Sequence, residues 1–495
     1  MQNSHDLQQV LDLRRSLAEG DEKRLKEQRD AGKQTARERI EKLVDAGSFV
    51  ELYALVSEDG VGAGVVTGYG TVQDRPVYAF AQDFTVHGGA MGKAQAQKIC
   101  KLLDLALKTG APVIALSDSA GVRIDEGAGA MSAYSEIYQR MARMSGVCPM
   151  ISVVLGPCVG GAALMAQLAD VCVMARNVGS LMMFGPQVLA AMNGKDVKVE
   201  QVGGADMMAA QGGCAIVARD EADALAKAAQ LLALLPGCNA EDAELLDGDD
   251  LNRVLPAIDP SDVDTLVGSV LDAGTGIELY AEYESSIRVL MGRLGGHSVG
   301  VVATAQGKDD GKLTAGALQK AARFVRFMDC FNLPVISLIN TKGVYVTDLN
   351  TQSWLMRAQS QLLYAYAEAT VPKLAVVTGD AIGQAYVAMG GKANADVSYA
   401  WPGAVISALS PEAAVAVLYA DQVKADKTLS PDQARAKYAE EYVKNVAGAI
   451  EAAKAGLVDD VIDPAQTRQL LIAALEMLFS KRDSNPPKKH GNLPL

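Results

Sequence analysis

Residues 112–121 read PVIALSDSAG, and residues 334–343 read PVISLINTKG. Each is a Pro-led run of β-branched and aliphatic residues that ends in turn formers, the pattern of a strand buried on both faces. A second pair lies one residue out of step with the first, PMISVVLGPCVGGA at 149–162 against PKLAVVTGDAIGQA at 372–385. Each half therefore has two buried strands, each running into a Gly-bearing turn. A repeat spaced far beyond the ~20–50 residues of solenoid arrays indicates duplicated domains. Two copies imply two related binding sites.

Outward from these strands the two halves match element for element. Segments GAGVVTGYGTV (62–72) and RPVYAFAQD (75–83) predict antiparallel strands, followed by a Gly-rich turn at 88–92, a helix from about Lys93 to Lys108 and the strand at 112–117. The second half predicts a strand at 295–305, a helix at 314–331 and the strand at 334–339. This order defines an α/β core. The acidic stretch AEDAELLDGDD at 240–250 predicts a linker, giving domains 1–245 and 246–495. Residues 1–45 read as charged helices, a solvated amphipathic arm that packs on a neighbour.

Composition narrows the function classes. The 495 residues carry a net charge of −13, which argues against non-specific nucleic-acid binding, since that requires a basic surface. The seven cysteines form no C-x-x-C pair and no zinc spacing, so buried reduced thiols are expected. The charged first 40 residues contain no apolar signal core, and the expected location is the cytoplasm. Residues 144–169 are uncharged and long enough to span a bilayer, but Pro149, Gly156, Pro157, Gly160 and Gly161 divide them into a buried strand, a turn and a helix.

Side-chain machinery is sparse. The string GGAMGKA at 88–94 has the wrong Gly spacing for a Walker loop, with Ala94 where magnesium binding needs Ser or Thr. The four histidines, at 5, 87, 297 and 490, have no metal-like partner in sequence. What the chain offers is backbone: Ala120-Gly121 and Gly160-Gly161 in the first half, Gly343-Val344 and Gly383-Gln384 in the second. Main-chain N–H groups converging after a strand and at a helix start make an oxyanion hole, worth roughly 3–4 kcal/mol per donor where charge develops. Tight turns would explain any one pair. Four in duplicate register point to oxyanion holes.

The strings QDFTVHGGAMG (82–92), DSAGVRIDEGAGAM (118–131), SGVCPMISVVLGPCVGGA (145–162), KAARFVRFMDCFNLPVISL (320–338), LLYAYAEATVPKLAVVT (362–378), ADVSYAWPGA (395–404) and PPKKHGNLPL (486–495) together resemble the carboxyltransferase subunits of biotin-dependent acyl-CoA carboxylases and decarboxylases. The resemblance spans nearly the whole chain and favours the propionyl-CoA carboxylase and methylmalonyl-CoA decarboxylase branch. It implies two tandem ClpP/crotonase-like domains built as ββα superhelices, a homo-hexamer, and an active site between the first half of one subunit and the second half of another. It further implies that Ala120, Gly121, Gly160 and Gly161 hold the thioester oxygen of an acyl-CoA as its enolate forms. Gly343, Val344, Gly383 and Gln384 would hold the ureido oxygen of biotin, whose nitrogen takes the α-proton. No metal is implied in this subunit.

Four departures from the family pattern lie on the biotin side or the acyl pocket: Thr341-Lys342-Gly343-Val344-Tyr345 in place of a Pro-Gly-Phe, NTQSWLMRAQSQLL at 350–363, Gln384 in place of a second Gly, and Val387 in place of an Asp. Val387 is accordingly read as an acyl-pocket residue. No biotinylation site occurs in the chain, so biotin would arrive on a separate carrier protein, alongside either a biotin carboxylase subunit or membrane decarboxylase subunits. Two alternatives remain open: a hydratase or isomerase using Asp125 or Glu126 as its carboxylate, and a non-catalytic subunit whose second site has decayed.

Overall fold

The computed structural model describes residues 2–58, 61–307, 309–346 and 352–494, so Asn350 and Thr351 of the departing 350–363 string lie outside the described residues. The chain forms two compact units, Met1–Asp242 and Ala243–Leu495. The first contains strands β1 (Val50–Leu52), β2 (Ser57–Glu58), β3 (Val61–Gly62), β4 (Val65–Val72), β5 (Arg75–Gln82), β6 (Val113–Ser119), β7 (Met150–Val159), β8 (Val171–Ala175), β9 (Ser180–Met182) and β10 (Ile216–Ala218). Apart from the β2–β3 pair these make one sheet in the order β1-β4-β5-β6-β7-β8-β10, with β9 beside β7.

The second unit repeats this plan with β11 (Ile277–Leu279), β12 (Ile287–Leu294), β13 (His297–Thr304), β14 (Val335–Thr341), β15 (Lys373–Ile382), β16 (Val397–Ala400), β17 (Val405–Ser407) and β18 (Asp460–Val461). Its order is β11-β12-β13-β14-β15-β16-β18, with β17 beside β15. The repeat seen in sequence is a repeat of topology.

Each sheet begins as an antiparallel meander and becomes parallel from its second long strand onward. The β4–β5 hairpin turns on two residues, Gln73 and Asp74, both at positive φ (+53° and +63°). Asp45 accepts hydrogen bonds from both of their N–H groups, at 3.0 and 2.9 Å, which offsets the strain of that turn. The parallel strands are buried along almost their full length, as sheets covered on both faces must be. The covering helix Lys93–Thr109 buries Ala96, Ile99, Cys100, Leu103 and Ala106, one face at helical spacing, and ends on Gly110 in the left-handed region. Helix Ala315–Cys330 does the same in the second unit through Leu318, Ala321, Ala322, Val325 and Met328.

Both units interrupt their central pairing at the same place. The β6–β7 register shifts between Ser117 and Ser119, and the β14–β15 register between Ile339 and Thr341, so that Asp118 stands opposite three residues of β7 (Leu155, Gly156 and Pro157) and Asn340 opposite three of β15 (Thr378, Gly379 and Asp380). Beyond that point β7 leaves β8 and pairs with β9, and β15 leaves β16 and pairs with β17. Gly156 and Gly379 lie where the strands change partner. A Cβ on Gly156 would fall 2.0–2.8 Å from the Asp118 carboxylate, and one on Gly379 2.5–3.1 Å from the Asn340 amide, so only glycine fits.

The N-terminal arm departs from expectation. It is helical, at Gln2–Glu19, Glu22–Asp30 and Ala36–Leu43, but its last part is buried within its own unit. Thr35 and Glu38 form a capping box, and Ala36, Arg39, Ile40 and Leu43 pack on the sheet and on helix Glu221–Leu234. Charged residues made this segment look solvated, and ion pairing far along the chain is what lets them be buried. Among the described residues no helix is long and apolar enough to cross a membrane, and residues 144–169 are strand, turn and short helix.

Candidate active site

The turns singled out in sequence lie at the C-terminal ends of the parallel strands, the end at which α/β sheets bind ligands. In the first unit a Cβ on Gly121 would be 3.4 Å from the Val159 carbonyl, so the turn after β6 sits beside the end of β7. Two tyrosines of helix Ala128–Met144 brace this pair. Tyr134 donates to the Gly121 carbonyl at 2.9 Å, and Tyr138 donates to the Gly161 carbonyl at 2.9 Å. Their rings stack at 5.6 Å, and burial pushes both phenols up, Tyr138 to about 12, which keeps them neutral donors.

Which N–H groups are open to a ligand follows from the hydrogen bonds. The Ala120 N–H donates to the Gly88 carbonyl at 2.8 Å, the Gly121 N–H to Ser119 Oγ at 3.2 Å, and the Arg123 N–H to the Met91 carbonyl at 2.9 Å. At the end of β7 the Gly160 N–H donates to the Met182 carbonyl at 2.9 Å. Gly160 has φ +61° and ψ −119°, a conformation open only to glycine. The N–H groups of Val122 and Gly161 have no acceptor among the described residues.

The second unit repeats this pattern bond for bond. The Lys342 N–H donates to the Gly311 carbonyl at 3.0 Å, the Gly343 N–H to Thr341 Oγ1 at 3.2 Å, the Tyr345 N–H to the Leu313 carbonyl at 2.8 Å, and the Gly383 N–H to the Ser407 carbonyl at 2.8 Å. The N–H groups left without an acceptor among the described residues are those of Val344 and Gln384. Of the eight backbone positions expected from sequence, Gly161, Val344 and Gln384 thus present open donors. Ala120, Gly121, Gly160, Gly343 and Gly383 shape the turns, with their own N–H groups engaged. Val122 was missed, although the repeat signals it, since Val122 is to Gly121 what Val344 is to Gly343.

Behind the first turn lies a charge cluster that sequence reasoning did not find. Asp118 is fully buried and accepts from Lys33 Nζ at 2.8 and 2.9 Å, Arg39 at 2.8 Å and Gln28 at 3.1 Å. Arg39, also fully buried, reaches Glu221 at 2.6 Å and the Leu155 carbonyl at 2.7 Å. Two cations thus face two carboxylates. Lys33 stands 4.0 Å over the Phe84 ring, and its burial pulls its pKa down. A cavity of about 630 Å³ opens beside it, lined by Arg24, Lys33, Phe84, His87, Gly88 and Asn177.

The carboxylates near Gly121 are poorly suited to acid–base work. Asp125 is hydrogen-bonded to Arg123 at 2.9 and 3.2 Å, and that guanidinium holds its carboxyl down at about 2, so it stays ionised. Glu126 accepts from the Lys93 N–H at 2.8 Å and lies 3.7 Å from Arg123. One string, GHSVG at 296–300, has the G-x-S-x-G spacing of a nucleophile elbow. It forms the start of antiparallel β13, where Ser298 is buried and His297 pairs with Glu476 at 2.8 Å, so it is no elbow.

The open donors of the second unit face a cavity of about 640 Å³ whose lining includes Lys342, Val344, Gln359, Asp380, Gln384 and Glu412. Lys342 is paired with Asp310 at 2.7 Å, and burial raises the carboxyl pKa of Asp380. Val387 lies in helix Gln384–Gly390, 40% exposed and outside this lining. Among the described residues no group of three His, Cys, Asp or Glu side chains could hold a metal ion, and the seven cysteines are free thiols, six of them buried.

Two sheets of crotonase-like plan, each presenting backbone donors at its strand ends, define a class. The chain belongs to the carboxyl transferase family, whose domain model matches residues 27–493. Within it, the chain is a carboxyltransferase of the propionyl-CoA carboxylase and methylmalonyl-CoA transcarboxylase type. It is 41% identical over 502 residues to the propionyl-CoA carboxylase carboxyltransferase subunit of Haloferax mediterranei, covering 97% of each chain. It is 41% identical to the methylmalonyl-CoA decarboxylase alpha subunit of Veillonella parvula, covering 98% of this chain and 97% of that one. A solved structure of the transcarboxylase 12S hexamer core, with methylmalonyl-CoA and methylmalonic acid bound, superposes with a TM-score of 0.93 at 37% identity, covering 99% and 98% of the two chains.

Proposed function

We propose that this chain transfers a carboxyl group between biotin on a separate carrier protein and the α-carbon of a short-chain acyl-CoA, with propionyl-CoA and methylmalonyl-CoA as the fitting pair. The observation that carries this reading is the duplicated pair of open backbone donors, Val122 with Gly161 and Val344 with Gln384. In the first unit these two N–H groups hold the thioester oxygen and stabilise the negative charge it gains when the α-carbon loses a proton or CO2. Such donors cost no reorganisation at the moment of reaction, because the strand ends and the tyrosine braces fix them beforehand. In the second unit the other two hold the ureido oxygen. Biotin itself supplies the carboxyl group and a nitrogen to receive the α-proton.

The donor set suits a urea: two open N–H groups, from Val344 and Gln384, line one cavity together with further polar groups. A hydratase or isomerase would need a side-chain acid or base beside the thioester, and Asp125, fixed as an ion by Arg123, fills that role badly. The hexamer named for the transcarboxylase structure supports assembly as a homo-hexamer, and the relatives named as subunits of a carboxylase and a decarboxylase support a place in a larger complex, to which biotin would come on its carrier. Free thiols throughout fit a reducing cytoplasm. Incubating the purified protein with methylmalonyl-CoA and free biotin tests the reaction. Propionyl-CoA should form at a rate that rises with biotin, and a rate independent of biotin would refute it.

A further inference from the structure

The second-unit cavity holds more polar chemistry than two backbone donors need. Asp380 and Ile382 alternate on β15, so both side chains face the cavity just before the Gly383-Gln384 turn. Asp380 is anchored through its backbone, its N–H donating to Asn340 Oδ1 at 3.0 Å. Its carboxylate has no hydrogen-bond or ion-pair partner among the described residues. Lys342, the nearest candidate, is already bound to Asp310 at 2.7 Å, and the remaining charged groups of the lining are Lys312 and Glu412.

A second group is also waiting. The Nε2 of Gln359, on helix Gln352–Glu368, is buried and has no hydrogen-bond partner, although Gln359 lines the same cavity. A buried amide donor left unpaired is costly, about 1–3 kcal/mol, unless a ligand completes it. The cavity therefore offers backbone donors for a carbonyl oxygen, a side-chain donor for another oxygen, and a carboxylate that needs a donor. A cyclic urea carrying a carboxylate on one nitrogen presents the matching set: a carbonyl oxygen, carboxylate oxygens, and one remaining N–H.

We propose that Asp380 is a specificity-determining residue of this site, its carboxylate accepting the N–H of the ureido nitrogen that does not carry the carboxyl group. The inference rests on the biotin reading above and adds to it a side chain that tells the two ureido nitrogens apart. Lys342 is held off by Asp310, so the acceptor stays available to the ligand.

The test is binding. The probes are biocytin and its analogue methylated on that ureido nitrogen, with dissociation constants measured by NMR titration against the full-length protein. Wild type should prefer biocytin by about tenfold, the worth of a hydrogen bond to a charged group. Asp380→Ala should weaken biocytin by about the same factor and bind both probes equally. Asp380→Asn, which keeps the shape and one acceptor oxygen, should fall between, and it decides the matter if the Ala variant does not fold. Equal affinity of wild type for both probes, or an undiminished preference in either variant, would overturn the assignment. If biotin-dependent turnover of methylmalonyl-CoA persists alongside that result, only the role of Asp380 is lost. If wild type neither binds biocytin nor turns over with biotin, both readings fall.

Discussion

Adding one methyl group at Gly161 should disable the first-unit site while leaving the fold standing. A Cβ there would lie 2.6 Å from two ring atoms of Tyr134 and 2.8 Å from a third, when ordinary contact begins near 3.4 Å. Something must move by about 0.6–0.8 Å, and the ring is badly placed to do so. It is 4% exposed, stacked on Tyr138, and tied through its hydroxyl to the Gly121 carbonyl. The shift therefore passes into the helix start that carries the Gly161 N–H, or through Tyr134 into the turn that carries the Val122 N–H. A misplacement of about 1 Å costs about 100-fold in rate, and loss of one oxyanion donor about 100- to 1,000-fold. Overpacking should cost about 1–3 kcal/mol of stability. Steady-state kinetics of Gly161→Ala with methylmalonyl-CoA, biotin saturating, should show kcat down about 100-fold or more with a smaller change in KM, and denaturant unfolding should show a cooperative fold. Trimming the ring in the same background, Gly161→Ala with Tyr134→Leu, should recover part of the rate. A Gly161→Ala enzyme with wild-type kcat would refute the argument.

Further outcomes follow from other parts of the molecule. Arg39→Met takes the ion-pair partner from buried Glu221 and leaves buried Asp118 with Lys33 as its one cation, and should destabilise the first unit by about 3–5 kcal/mol in denaturant unfolding, whereas a loss below about 1 kcal/mol would show the cluster to be hydrated. Asp125 has its folded pKa lowered to about 2, so it is ionised at every pH above ~3 and contributes no proton-transfer limb. Asp125→Asn should therefore leave the shape of the kcat profile unchanged between about pH 5 and 8, and a vanished limb would restore a carboxylate mechanism. Val387→Asp should change the ratio of kcat/KM among acetyl-, propionyl- and butyryl-CoA by about tenfold or more, since a methylene in an apolar pocket is worth about 1–3 kcal/mol. Flat ratios in both proteins would take Val387 out of the acyl pocket.

Much of this architecture is legible in the chain because strand burial and turn chemistry are local signals. The PVIALSDSAG and PVISLINTKG runs give the duplication, and the helix expected from Lys93 is found at Lys93–Thr109. What escapes is non-local. Gln28, Lys33 and Arg39 look like residues of a solvated helix, and only Asp118 and Glu221, brought in from 79 to 182 positions away, permit their burial. The open donors are half legible: the glycines mark the turns, but which N–H stays free depends on acceptors such as Gly88, Met182, Gly311 and Ser407 on other segments. Asp380 and Gln359 carry no motif at all, and their shared cavity emerges only when β15 and helix Gln352–Glu368 meet.

The open donors of both units belong to peptide groups, which every residue except proline possesses. Ser119-Ala120-Gly121-Val122 and Thr341-Lys342-Gly343-Val344 agree in two of four side chains, yet they engage and release the same N–H groups. Charge-holding capacity of this kind survives most substitutions, so an ancestor that doubled its gene could let one copy drift towards a new ligand without first dismantling the other's chemistry. The same insulation makes percent identity at the site a poor gauge of lost activity. An inactive descendant would betray itself first at the acceptors that set the turns, or by a proline at 122, 161, 344 or 384.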